Sequence, residues 1–279
     1  MSEATPLLDL DRVSVSYKSR NFKAPPFLAL DGFTLRIAQD RPKIVAIVGE
    51  SGSGKTTLAR VVLGMLAPTQ GQMRYAGQAL DAMARPDRAA FRREVQAIFQ
   101  DPFSIFNPFY PVDHLLEMPL RIFRLAKSRA EEQAMIASAL QRVGLTPGQV
   151  LGRHPHQLSG GQRQRIVVAR CLMLRPRLIV ADEPVSMIDA SLRANVLAQI
   201  QALRDELGIS IIYITHDIAT ARQVSDEVFV LHRGKTVESG TAEAVIARPQ
   251  HEYTRLLVGS VPRPDPDHGW SDLTEPAQG

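Results

Sequence analysis

Apolar positions along this chain follow two rhythms. Leu8, Leu10, Val13 and Val15, and then Leu30, Phe33, Leu35 and Ile37, have strand-like spacing. Between the two groups, the stretch from Lys18 to Pro26 is polar and proline-bearing, which predicts a loop. Ile44-Val45-Ala46-Ile47-Val48 and Leu178-Ile179-Val180-Ala181 are unbroken apolar runs rich in β-branched residues, the pattern of parallel strands buried on both faces. Val95 to Phe99 and Ile209 to Thr215 predict two more short strands. Elsewhere the spacing is helical. Thr57 to Leu63 carries an apolar stripe, and Val112 to Leu125 and Ala130 to Val143 read as helices, the second closed by Gly144. Gln162 to Leu174 repeats Ile166, Val167, Ala169, Arg170 and Leu174 at helical intervals. Ala190 to Leu207 is amphipathic, with Leu192, Val196, Ile200, Leu203 and Leu207 on one side and Gly208 just past its end. Strands alternating with helices predict βαβ units and a parallel sheet, with a change to helical character from about residue 101 to His156. There is no internal repeat.

Chemistry enters where strand meets loop. Gly49-Glu50-Ser51-Gly52-Ser53-Gly54-Lys55-Thr56 fits G-x-x-x-x-G-K-S/T without a mismatch, and it lies between a buried strand and a helix, the context that motif requires. Its glycines let the backbone wrap closely around phosphate, with N–H groups turned inward at the oxygens. The helix N-terminus that carries Thr56 and Thr57 adds the positive end of a dipole. Lys55 is expected at the β/γ-phosphates and Thr56 at Mg²⁺. A glycine-rich turn that binds nothing is the plain alternative. Asp182 ends the Leu178 strand, which fits a metal-holding carboxylate, and Glu183 follows past the strand end, placed to orient or deprotonate an attacking water. Two solvated acids at a loop start would look similar, but Pro184 fixes the exit of the chain and argues for a shaped loop.

Leu158-Ser159-Gly160-Gly161-Gln162 supplies the third string. It sets a hydroxyl and bare N–H groups at a helix N-terminus, an arrangement that either caps a helix or receives an anion. With this string between the two nucleotide strings, the chain resembles the ATP-binding cassette (ABC) ATPases over almost its whole length. The resemblance implies an α/β fold with a RecA-like P-loop core and mostly parallel sheet, an antiparallel β subdomain and an inserted α-helical subdomain. It implies that Ser159, Gly160, Gly161 and Gln162 complete the nucleotide site of an opposite subunit. Gln100 matches the glutamine that joins the metal site to the helical subdomain. His216 matches the histidine that touches the γ-phosphate, and Tyr17 the aromatic ring set against adenine. Asp189 matches the aspartate that communicates across the dimer, here within Ser186-Met187-Ile188-Asp189 where the family carries Ser-Ala-Leu-Asp. Gln39 to Lys43 lacks the family's Gly-Glu turn.

The end of the chain narrows the branch. Asp101-Pro102, Asn107-Pro108 and His251-Glu252-Tyr253-Thr254, followed by a Pro- and Asp-rich tail, resemble the oligopeptide and dipeptide importers of the family. That implies a cassette over residues 1–250 with the helical insert at about 101–162, and a C-terminal extension over 251–279. It implies ATP and Mg²⁺, two transmembrane permease subunits, a second cassette identical or different, and indirectly an extracytoplasmic solute-binding protein. The aromatic, proline-broken stretch from Phe103 to Pro111 would then be a loop of the helical core, a groove for a permease helix, or both. Some members of the branch hold an iron–sulfur cluster through cysteines in the tail; the one cysteine here is Cys171, so no cluster is expected.

Composition sets limits around this. The chain has 279 residues, 44% hydrophobic and 22% charged, suited to one large or two modest domains. Apolar runs fall short of the roughly 20 residues of a membrane helix, and Met1 to Pro6 shows no export signal, so the chain is expected to stay in the cytoplasm; the resemblance implies a peripheral place at the cytoplasmic face of a bacterial inner membrane. Net charge is +4, but Arg85, Arg88, Arg92, Arg93, Arg121, Arg124, Lys127 and Arg129 are interspersed with acids and apolar residues. No nucleic-acid partner is expected from so diluted a pattern. The competing functions are a soluble ABC ATPase acting on ribosomes or DNA and a cassette that binds ATP without turning it over; within importers, oligosaccharide or nickel stands beside peptide.

Overall fold

The computed structural model describes residues 5–18, 26–98, 105–186 and 190–260, with backbone alone for 190–192. Gln100, Asp101 to Ser104, Met187 to Asp189 and the tail beyond Ser260 lie outside the described residues.

The chain opens with β1 (Leu8–Tyr17), β2 (Phe27–Ile37) and β3 (Ile44–Val48), then α1 (Lys55–Val62), β4 (Gln70–Tyr75) and β5 (Gln78–Ala79). Next come α2 (Arg85–Glu94) and β6 (Val95–Ile98), followed by α3 (Val112–Ile122), α4 (Arg129–Arg142), α5 (Pro147–Val150) and α6 (Gly160–Met173). The last third runs β7 (Leu178–Asp182), α7 (Ala190–Asp205), β8 (Ser210–Thr215), α8 (Ile218–Val224), β9 (Glu227–His232), β10 (Lys235–Thr241), α9 (Ala242–Ala247) and α10 (Glu252–Gly259).

Two sheets result. One is antiparallel, in the order β2-β1-β4-β5; the other runs β10-β9-β3-β8-β7-β6, parallel except for the β9–β10 hairpin. The unbroken apolar run of β3 has a direct cause. Ile44, Ala46 and Val48 belong to the core under the helical region, while Val45 and Ile47 belong to the core shared with the antiparallel sheet and α1. Alternate side chains face opposite layers, and both layers are dry. Each fully buried Ile or Leu contributes about 1.5–3 kcal/mol by leaving water.

The strands of the antiparallel sheet are longer than their alternation allows for a flat ribbon, and bulges absorb the difference. In β1 the apolar phase slips between Leu10 and Val13, where Arg12 takes φ 45° and the register with β2 shifts. In β2 it slips between Leu30 and Phe33, where Gly32 takes φ 62° and donates its N–H to Ser14 Oγ at 2.8 Å.

Helix ends differ from expectation in one instructive place. The third helix stops at Ile122 rather than Leu125, because Arg124 turns to φ 51° and the Leu125 N–H bonds back to the Leu120 carbonyl at 2.9 Å. Gly144 and Gly208 take φ 69° and 66°, as helix-closing glycines should. In the proline-broken stretch, Phe106 is buried in the core under the helical region while Phe109 is 85% exposed.

Candidate active site

The register of the parallel sheet decides where the chemistry gathers. Val48 pairs with Thr215 and Asp182 with Ile214, so β3, β8 and β7 end together. Gly49 begins the loop at the first end, His216 follows the second, and Glu183 follows the third.

The loop from Gly49 to Gly54 is shaped by what surrounds it. A Cβ on Gly49 would overlap the Leu231 carbonyl, and one on Gly54 would overlap the Ala29 carbonyl, with Gly54 at φ 110°. Gly234, in the β9–β10 turn, donates its N–H to the Ser53 carbonyl at 2.9 Å, while its own carbonyl accepts from Asp31 N–H at 2.8 Å. The turn thereby ties the loop to the antiparallel sheet. Helix α1 starts at Gly54 without a side-chain cap, which leaves its first N–H groups to a ligand. Ser51 and Gly52 are exposed, Ser53 is buried, and Thr56 is exposed on the first turn. Lys55 is buried, with its ammonium 2.6 Å from the Gly49 carbonyl and 2.8 Å from that of Glu50. Burial pushes its pKa down; the carboxylates of Glu183, Asp182 and Glu50 oppose that.

Across from the lysine, burial pushes the Asp182 carboxyl up, the charge of Glu183 adds to the shift, and Lys55 opposes it. Glu183 has turned out of the strand: its φ is 52°, and its N–H reaches the Ile214 carbonyl of β8 at 2.8 Å. A left-handed conformation costs a non-glycine residue about 1–2 kcal/mol, strain of the kind concentrated where a side chain must be aimed. His216 Nδ1 lies 2.7 Å from Glu183 Oε1 and 2.7 Å from Oε2. Oε1 has hydrogen-bond geometry; Oε2 is buried without a hydrogen-bond partner. The side chain of Glu183 is 13% exposed and that of His216 60%.

Tyr17 ends β1, half-buried, and its hydroxyl lies 3.5 Å from Thr57 Oγ1 on α1. This brings its ring to the edge of the phosphate loop. Ser159 and Gln162 cap α6 reciprocally: Ser159 Oγ accepts from Gln162 N–H at 3.2 Å and Gln162 Oε1 from Ser159 N–H at 3.0 Å. The serine proton stays available to a further acceptor. Helix α6 packs against α3, α4 and β6, and β6 is separated from β3 by β7 and β8, so Ser159 to Gln162 are not part of the same cradle. Among the described residues, Gln164 of α6 ties that helix to the loop after Glu183, its Nε2 donating to the Pro184 carbonyl at 3.3 Å. Sequence reasoning singled out neither Gly234 nor Tyr253 as a partner of the loop; the Tyr253 hydroxyl accepts the Glu50 N–H at 2.9 Å. The only local signals were an Arg-Gly turn between strands and the tyrosine of His-Glu-Tyr-Thr.

Comparison with known proteins agrees with this geometry. The family described as ABC transporter matches residues 30–186, and that described as Oligopeptide/dipeptide transporter, C-terminal region, matches residues 237–278. The chain is 40% identical over 267 residues to the oligopeptide transport ATP-binding protein OppF of Escherichia coli, covering 94% of this chain and 79% of that one. It is also 40% identical over 270 residues to the dipeptide transport ATP-binding protein DppF of Haemophilus influenzae, covering 96% and 81%. Among solved structures, the cassette MJ0796 in a post-hydrolysis dimer bound to ADP and Pi superposes with a TM-score of 0.72 at 26% identity, over 84% of this chain and 98% of that one. CbiO1 of Clostridium perfringens, part of the transporter complex cbiONQ, gives 0.74 at 26% identity, over 88% and 92%. With its mixed core sheet, antiparallel sheet and helical region matching those cassettes, the chain belongs to the ABC transporter family as one of its ATP-binding, ATP-hydrolysing cassettes.

Proposed function

We propose that this cassette powers a peptide importer, paired with a second cassette beneath two membrane-spanning permease subunits at the cytoplasmic face of a bacterial inner membrane. What supports the reading is that Lys55, Asp182, Glu183 and His216 meet at one end of the parallel sheet, on a chain whose end matches the oligopeptide/dipeptide transporter C-terminal region. We divide the chain into a cassette over 1–250, with the helical insert at about 101–162, and an extension over 251–279.

In this reading the N–H groups from Ser51 to Thr57 cradle the phosphates of ATP, Lys55 leaves its loop carbonyls for the β/γ-phosphates, and Tyr17 stacks on adenine. Thr56 and Asp182, with Gln100, would hold Mg²⁺. A hydroxyl and a carboxylate are the hard oxygen donors that suit it, and the raised Asp182 carboxyl marks a negative charge short of compensation. The metal would supply neutralisation of the charge that develops on the phosphates. Glu183 Oε2, buried and lacking a hydrogen-bond partner, takes the proton of the attacking water as its oxygen bonds to the γ-phosphorus and ADP departs. His216 Nδ1, 2.7 Å from each carboxylate oxygen and hydrogen-bonded to Oε1, holds the carboxylate in place. Ser159, Gly160, Gly161 and Gln162 close over the nucleotide of the partner cassette, with Asp189 at the junction. Two copies of this chain would make two complete sites.

The permease contact falls on a groove of about 480 Å³ lined by Ile105, Phe106, Tyr110, Leu115, Met118 and Ile122. Tyr110 and Ile122 of this lining are 49% and 64% exposed, apolar surface of the sort kept for a partner. No helix among the described residues is long and apolar enough to cross a membrane. Cys171 is the one cysteine of the sequence, so the tail offers no thiolate to an iron–sulfur cluster. Purification from gently solubilised membranes of the native host tests the reading. Two multi-span proteins should accompany the chain; recovery with ribosomes or DNA, or alone in the soluble fraction, would overturn it.

A further inference from the structure

The peptide between Gly49 and Glu50 is gripped at both ends. Its carbonyl accepts from Lys55 Nζ at 2.6 Å, and its N–H donates to the Tyr253 hydroxyl at 2.9 Å. Its third side is closed by the Leu231 carbonyl, which leaves no room for a Cβ on Gly49. Lys55 comes from the loop itself, but Tyr253 comes from α10, after the last strand of the cassette.

That helix is firmly seated. The Glu238 carboxylate of β10 accepts the N–H groups of Gln250 at 2.8 Å and His251 at 3.0 Å, and His251 Nδ1 caps the helix by accepting Tyr253 N–H at 3.1 Å. Thr254 is fully buried and Leu257 nearly so. The Tyr253 ring lies against His232, at the end of β9, with centroids 4.0 Å apart. The hydroxyl is therefore delivered to the loop by a ring that cannot swing away.

We propose that Tyr253 is a positioning residue for the nucleotide site: through its hydroxyl, α10 fixes the Gly49–Glu50 peptide, and nucleotide binding in the loop and docking of the helix are coupled. A fixed peptide keeps the loop in its phosphate-receiving shape, so nucleotide meets a cradle already ordered. Coupling between two sites is reciprocal, so a filled loop must hold α10 more tightly in turn. The C-terminal end thereby has a physical line to the ATP site. The inference rests on Gly49 to Thr57 being the nucleotide loop.

Tyr253→Phe in the full chain tests it, because phenylalanine keeps the ring on His232 and removes only the acceptor. Mg-ADP, titrated by calorimetry, avoids turnover. The variant should bind about fivefold more weakly, the loss of one neutral hydrogen bond. Mg-ADP should slow amide exchange in α10 of the wild type and fail to do so in the variant. An unchanged dissociation constant with equal nucleotide protection of α10 would overturn the coupling, even if the variant melts lower, since that combination means a merely structural tyrosine. A wild type that does not bind Mg-ADP would overturn the phosphate-loop reading together with this one.

Discussion

His216 Nδ1 lies 2.7 Å from Glu183 Oε1, joining the ends of two neighbouring parallel strands. An ionised carboxylate can only accept, so the proton of that bond sits on Nδ1. The histidine thereby aims a glutamate whose backbone is already held in a strained turn. Replacing His216 with Ala frees the carboxylate to rotate. Turnover should fall about 100-fold while the KM for ATP changes little, because aim and not phosphate binding is lost. Steady-state ATPase kinetics read both quantities.

Asp182 offers a stability test with a definite sign. Its folded pKa is raised above the ordinary 3.8, first by burial and then by Glu183. Between 3.8 and the raised value the native chain holds a proton that the unfolded chain has lost, so stability falls as pH climbs through that window. Above the window the cost of the buried charge is fully present. Asp182→Asn should therefore raise the melting temperature of the nucleotide-free chain at pH 7, and the advantage should fade as pH is lowered towards 3.8. The same variant should lose Mg²⁺-dependent hydrolysis. Thermal melts across pH, paired with ATPase assays, check both halves.

Tyr17 lies beside the phosphate loop through its 3.5 Å contact with Thr57, and under the proposed function its ring stacks on adenine. Tyr17→Ala should weaken ATP binding about tenfold and leave tripolyphosphate binding unchanged, since only the base loses its platform. Tyr17→Phe should retain the affinity for ATP. Competition binding with the two ligands separates these outcomes.

How far the sequence foretold this follows from which signals are local. The β3 run and the glycines after it are contiguous, so strand, loop and α1 could be read directly. The ends of β7 and β8 were equally clear, and the parallel register then brings Asp182, Glu183 and His216 to one edge. The bulges were present as a slip of phase, Leu8 and Leu10 against Val13 and Val15, although only the backbone reveals Arg12 at φ 45° as its cause. The reciprocal cap of α6 was there as Ser159 and Gln162 three apart. Helix α2 was missed because Phe91 is its one buried residue, which leaves no apolar stripe to count. The Tyr253 bond to Glu50 joins residues 203 apart, and no pattern within either segment announces the other. The same holds for Gly234, whose bonds to Ser53 and Asp31 exist only once the two sheets meet.

The groove of the helical region makes a separable prediction. Tyr110 is 49% exposed and Ile122 64%, so changing both to Asp should not disturb the fold. The doubly changed cassette should bind ATP normally on its own and fail to co-purify with the permease subunits. Retained co-purification would place the membrane contact elsewhere.

The most direct measurement is ATP-driven accumulation of a labelled oligopeptide in proteoliposomes holding the assembled importer, built with either the wild-type chain or Glu183→Gln. Wild-type vesicles should accumulate peptide only with Mg-ATP, and vesicles with the variant should bind ATP but accumulate none above background. Equal accumulation by the two assemblies would contradict Glu183 as the group that activates water, and no peptide accumulation by an actively hydrolysing wild-type assembly would contradict peptide import.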